Sequence, residues 1–249
     1  MSDTQKFSIE DYKRKIAGLL AKAEGTNVEA EQKAFSEAAE RLMLKMGISA
    51  AEAQSQGKVK AEDIVEKVMT WTTIYAPAMG TFAYRVGLAF GDLNFLQSRV
   101  RKDYVRTYVI GHTSDVEQSM TLMTSLHVQV MSALKEFRRV NRDERRYYSI
   151  HQNFVTDRSF VIGYGDAVAS RLRSMRREEV QEATPGAALV LASKKDRVQA
   201  WQDDKYKNLR AGRASTAQQS AAGRAAGHSA GQNASLGGKG IGGTRGITR

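Results

Sequence analysis

The chain has 249 residues, no cysteine, and 38 Lys/Arg against 27 Asp/Glu, for a net charge of +11. The missing cysteine excludes disulfides, thiolate metal sites and cysteine nucleophiles, and suits a reducing compartment. No apolar run approaches the ~20 residues that span a bilayer, and no apolar stretch follows a basic start, so a soluble protein of a bacterial cytoplasm is expected.

The positive charge is uneven. Residues 1–63 carry ten basic and eleven acidic residues, 64–150 twelve and eight, 151–204 eight of each, and 205–249 eight and none. A basic segment without acids most often meets a polyanion, usually nucleic acid. These shifts suggest three parts: a helical module over 1–60, an α+β core over 61–204 and a Gly/Ala-rich basic tail over 205–249.

In chain order, three capping boxes open the first part: Ser8 with Asp11, Thr26 with Glu29, and Ser49 with Glu52. They predict helices over 9–24, 27–46 and 50–56, stopped by Gly25, Gly47 and Gly57. Ile16, Leu19, Leu20 and Ala23 form the inner face of the first helix. Phe35, Ala38, Ala39, Leu42 and Met46 form that of the second.

The run Lys15 to Glu24, then Glu29-Ala30-Glu31, then Ala38 to Met46 followed by Gly47-Ile48, resembles domain-of-unknown-function family 2786. That family is a short helical module of bacterial and bacteriophage proteins, so the resemblance implies helices and a plausible phage origin. It implies no activity. Some relatives carry a zinc peptidase domain with a His-Glu-x-x-His helix. His112, His127, His151 and His228 lack such neighbours, so that activity is not expected here.

Residues 64–75 are rich in strand formers. Pro77 suits the first turn of a helix running to Gly91. Strands follow over 94–100 and 104–110, with Arg101-Lys102-Asp103 as the hairpin tip. Ser114 with Glu117 reads as the capping box of a long helix whose stripe is Val116, Met120, Met123, His127, Val130, Leu134 and Phe137. Val161, Tyr164, Val168, Leu172 and Met175 mark a second helix. A short strand is expected over 187–192 and a helix over 194–201. The fold class expected is α+β: a helical hairpin, a small antiparallel sheet packed by long amphipathic helices, and a flexible basic tail. Gly223, Gly227 and Gly231 would form, on a helix, a ridge permitting close backbone contact.

Catalytic motifs do not hold. Gly227-His228-Ser229-Ala230-Gly231 has the nucleophile-elbow spacing, but no Asp, Glu or His follows Ser229. Gly238, Gly240 and Gly243 fit a dinucleotide loop, but six residues remain after them where a long βαβ unit is needed. No enzyme activity, cofactor or metal is expected. His127, on the apolar stripe, reads as a core residue.

The arginines between the two stripes have two readings. They pair with Asp143, Glu144, Glu178 and Glu179 at helical spacing, or they face outward together. Outward, Arg138, Arg139, Arg142, Arg145 and Arg146 beside Tyr147 and Tyr148 would bind phosphates and stack on unpaired bases. Lys205, Lys207, Arg210, Arg213, Arg224, Lys239, Arg245 and Arg249 would add contacts from the tail. The expected function is non-enzymatic binding of DNA or RNA, the ribosome included. The alternative is a module that binds or inhibits a host protein.

Overall fold

A computed structural model of the chain describes residues 9–26, 28–57, 61–209 and 217–234. Two helices, α1 (Ile9–Gly25) and α2 (Glu29–Ser55), form an N-terminal hairpin. Tyr12, Ile16 and Ala23 of α1 are buried with Ala39, Met43 and Met46 of α2. The predicted stop at Gly47 and the third helix are corrected: α2 runs unbroken to Ser55. A mid-helix glycine costs about 1 kcal/mol. Burial of Met43, Leu44, Met46 and Ala51 on both sides of it outweighs that cost. Ser49 caps nothing, since its hydroxyl donates to the Tyr12 hydroxyl at 3.1 Å. Gly57 does end the segment in the left-handed region, at φ 69°. Thr26 Oγ1 accepts from the Val28 N–H and donates to Glu31, two residues beyond the expected partner. The Ser8 box lies outside the described residues.

Strands β1 (Ile64–Thr72), β2 (Asn94–Arg101) and β3 (Tyr104–His112) form an antiparallel sheet in the order β1-β3-β2. Helix α3 (Ala76–Phe90), with Pro77 in its first turn, links β1 to β2. One sheet face points inward with Trp71, Phe95, Val105 and Val109 buried. Trp71 Nε1 donates to the Thr107 hydroxyl at 3.0 Å, which satisfies both groups inside the core.

Strand β3 runs directly into α4 (Thr113–Val140). The Ser114 capping box is therefore corrected. The cap position is His112, without a side-chain cap bond. Instead the Ser114 N–H donates to the Glu62 carboxylate at 2.9 Å, an acid supplied from the lead into β1. The predicted stripe holds: Val116, Met123, Val130 and Leu134 are buried, with Leu122 and Leu126 beside them.

A single turn, α5 (Arg142–Arg145), leads to α6 (Ile150–Gln181), the central helix. Ser149 and Gln152 close a capping box at its start. Val161, Tyr164, Val168, Leu172 and Met175 are all buried along it.

The strand expected over 187–192 is corrected to part of α7 (Pro185–Lys205). The Thr184 hydroxyl accepts from the Ala187 N–H at 3.3 Å, and Pro185 fits the first turn, so the local signals start a helix. Leu189 stays 73% exposed, so this apolar run does not supply a buried strand. Helix α7 packs on α2 and crosses one end of the outer sheet face.

Within the segment expected as a basic tail, α8 (Ala221–Gln232) packs along α6, as the glycine ridge anticipated. A β-carbon at Gly227 would lie 2.0 Å from the Phe160 carbonyl oxygen. Gly223 and Gly231 meet the Thr156 and Tyr164 carbonyls in the same way. Ion pairs tie the N-terminal hairpin to α6: Arg41 with Glu178 at 3.1 Å and Arg171 with Glu37 at 3.4 Å. Among the described residues no helix is long and apolar enough to cross a membrane.

Candidate nucleic-acid interface

The arginine cluster at the α4–α6 junction divides in two. Arg138, near the end of α4, and Arg145, at the end of α5, turn inward onto Asp157 of α6. Asp157 is 3% exposed. Its Oδ2 accepts from Arg138 Nε at 3.0 Å, Arg138 Nη2 at 2.8 Å and Arg145 Nη2 at 3.1 Å. The Tyr75 hydroxyl donates to the same oxygen at 3.0 Å and accepts from Arg138. Burial first, and then the Asp157 charge, pushes the Tyr75 hydroxyl up to about 12. Tyr75 therefore remains a donor at any ordinary pH. Arg145 Nη1 faces Asp157 Oδ1 at 2.9 Å as an ion pair without hydrogen-bond alignment. Two cations on one buried carboxylate fix the approach of α4, α5 and α6. They are not presented together to a polyanion.

The rest of the cluster is exposed, and much of it is paired. Arg139 forms a two-pronged contact with Glu136, at 2.8 and 2.6 Å. Arg146 lies 3.5 Å from Asp143. Arg142 is exposed without an acidic partner among the described residues. Tyr147 is 89% exposed, while the Tyr148 hydroxyl donates to Glu144. Glu178 and Glu179 face Arg41 and Lys45 of the N-terminal hairpin rather than the junction arginines. Beside the junction a cleft of about 690 Å³ is lined by Tyr75, Arg145, His151, Asn153 and Asp157, with Ile74 and Ile150 on its rim.

The tail residues are dispersed. Lys205 ends α7, 3.2 Å from Glu66 and over the Trp201 ring at 4.6 Å. Lys207 lies 3.8 Å from Asp204, and Arg224 on α8 pairs with Asp166 at 2.7 Å. Arg210, Arg213, Lys239, Arg245 and Arg249 lie outside the described residues.

A second basic surface was not singled out from the sequence. On the β2–β3 hairpin, Arg99, Lys102 and Arg106 are exposed and have no acidic partner among the described residues. Arg101 faces one acid among the described residues, Asp103 at 3.6 Å. Arg101 and Arg106 both lie over the Tyr104 ring, at 5.9 and 5.6 Å. The signal was the alternation Tyr104-x-Arg106-x-Tyr108, which in a strand puts all three on one face. Asp157 was also missed. It lies 12 and 19 residues from its arginines, beyond any local spacing.

Residues 11–50 match the model of a protein family of unknown function, DUF2786. The match covers most of the α1–α2 hairpin, which makes that hairpin the DUF2786-like part of the chain. No curated protein and no solved structure matches the chain. His112 and His127, the histidines nearest the core, are both held below the usual imidazole range by burial, in His112 with the Lys194 ammonium adding to it. His127 meets Trp71 edge-on at 5.3 Å, in the core role expected for it. Among the described residues no group of three His, Cys, Asp or Glu side chains is arranged to hold a metal.

Proposed function

We propose that the protein binds nucleic acid without catalysing a reaction on it, through the cations that the fold leaves without acidic partners. The observation that carries this reading is the β2–β3 hairpin, where Arg101 and Arg106 lie over the Tyr104 ring, and Arg99, Lys102 and Arg106 are exposed with no acid against them among the described residues. Cations already held by acids release few counterions on binding. Those exposed to water without acids release them freely, and that release drives salt-dependent affinity. Arg142 and the basic residues from Lys205 onward extend the charge. The resemblance of the N-terminal hairpin to a module of phage proteins supports a phage-encoded protein acting in the cytoplasm of a bacterial host.

The test is a titration of the full chain on labelled DNA and RNA at several salt concentrations. Binding with a negative slope of log affinity against log salt supports the reading. Absence of binding to either polymer at low salt rejects it.

One observation favours a protein partner instead. Ile150 is 91% exposed and Ile74 60%, both lining the cleft beside Asp157. Exposed apolar groups around a cleft suit a protein contact. Capture of the same host protein before and after nuclease treatment would support that reading.

A further inference from the structure

The outer face of the sheet has two halves. Helix α7 covers the half around Ile110, which is fully buried, with Val198 buried beside it. The half toward the hairpin tip is open. Across it the register sets three rows: Val68–Tyr108–Leu96, Thr70–Arg106–Ser98 and Thr72–Tyr104–Arg101. Alternation along the strands puts these side chains on the same face. Tyr104 and Tyr108 lie four residues apart on the central strand, about 13 Å at the rise of a strand. Arg106 stands between them, its Nε donating to the Tyr104 hydroxyl at 3.3 Å. At the margin, the end of α7 adds Trp201 and Tyr206, with Lys205 over both rings at 4.6 and 5.5 Å. Glu66, the acid of this margin, is occupied by Lys205 and by the Tyr206 hydroxyl.

We infer that this open half-face is a stacking platform for unpaired bases, so that the nucleic acid bound is single-stranded. The inference rests on the nucleic-acid reading above and names the form of polymer that the surface takes. A duplex buries the faces of its bases and offers a protein only phosphates and groove edges. A flat sheet with aromatic rings on its central strand matches the faces of bases that are splayed out. Guanidinium groups around those rings supply both flat stacking surfaces and charge for the backbone phosphates. The occupant therefore has to be aromatic and anionic at once, with its aromatic faces free. A single strand meets all three requirements, and a protein segment rarely meets the second.

The experiment titrates the full chain with a labelled twelve-nucleotide single strand of DNA, its RNA counterpart, and the duplex of the same sequence, at two salt concentrations. The Tyr104→Ala, Tyr104→Phe and Arg106→Gln variants are run beside it, with circular dichroism melting as the check on folding. At least one single strand should bind about tenfold tighter than the duplex. Tyr104→Ala should lose about tenfold on that strand, in line with the loss of one base stack. Tyr104→Phe should retain most of the affinity, and Arg106→Gln should weaken binding and flatten its salt dependence. A duplex bound as well as both single strands overturns the inference and leaves the nucleic-acid reading standing. So does a single strand bound equally by Tyr104→Ala and the parent chain. Failure of all three polymers to bind rejects the nucleic-acid reading itself.

Discussion

The α4–α6 junction and the β2–β3 hairpin are both rich in arginine, and they use it differently. At the junction two guanidinium groups converge on one buried carboxylate. At the hairpin they stay in water, around a tyrosine. The difference lies in Asp157, which sits on another helix and consumes the charge of Arg138 and Arg145. Counting cations along a stretch thus measures potential charge, and the tertiary partners decide how much reaches the surface. At the junction the structural use of arginine wins, because a buried unpaired carboxylate costs more than an exposed cation gains.

The strongest test of this contrast is Asp157→Ala. It leaves Arg138 and Arg145 facing each other without a counter-charge. A loss of about 3 kcal/mol is expected in chemical denaturation, the low end for a broken buried pair. The low end applies because the Arg138 side chain keeps 40% of its surface in water. Arg106→Ala on the hairpin should change stability by less than about 0.5 kcal/mol. Equal losses at the two sites would erase the distinction.

Gly227→Val probes how firmly the far side of α6 is held. The added β-carbon would clash with the Phe160 carbonyl, and α8 would have to lift. A loss of about 1–3 kcal/mol is expected for overpacking, read as a lower melting temperature. An unchanged melting temperature would mean that α8 contributes nothing to the fold.

Binding sharpens the contrast in the opposite direction. Replacing Arg99, Arg101, Lys102 and Arg106 together should reduce the salt slope on a single strand by about 3, at roughly 0.7 for each phosphate no longer neutralised. Arg138→Gln should leave that slope unchanged. A slope that falls with Arg138 and not with the hairpin would return the interface to the junction.

The smallest expected effect is on pH. Burial lowers the pKa of His112 and His127 in the folded state, so the unfolded chain takes up protons first. Their contribution is complete above the unfolded value of about 6.5 and is lost as pH falls through the lower folded values. The melting temperature should therefore drop by a few degrees on acidification from pH 7.5 to about 5.5. His127→Phe should reduce that drop. Glu179, raised by burial, shifts stability in the opposite sense, so the same pH window is also read in a Glu179→Gln variant. A flat or rising profile across it would contradict the burial of the two imidazoles.

Much of this architecture was legible before folding. The helical stripe from Val161 to Met175 predicted five buried positions on α6, because an amphipathic period needs no partner to be read. The hairpin was legible from its strand formers and polar tip. The first part of α7 was not, since Ala187 to Ala192 is a short apolar run with no period and the Thr184 cap decides its conformation, whereas the helix expected over 194–201 is its second part. Gly47 misled for the converse reason: a glycine stops a helix only where packing on both sides does not hold it. The site was less legible than the fold. Asp157 lies between Thr156 and Arg158 in an ordinary polar stretch, and only the crossing of α4, α5 and α6 brings it to Arg138 and Arg145. The outer sheet face required the strand register, which places Tyr104 opposite Thr72 and Arg101.

The seat of α8 on α6 also sets an order of events during synthesis. Gly163 on α6 meets the Arg224 carbonyl, contributed by chain made 61 residues later. Until that chain leaves the ribosome, the strip along Thr156, Phe160 and Tyr164 has no cover. A nascent protein halted before residue 217 carries an open groove in its central helix. Emergence of α8 and closure of that groove are the same step. Proteolysis of stalled chains, with cleavage near Phe160 that disappears once residue 234 has emerged, would record it.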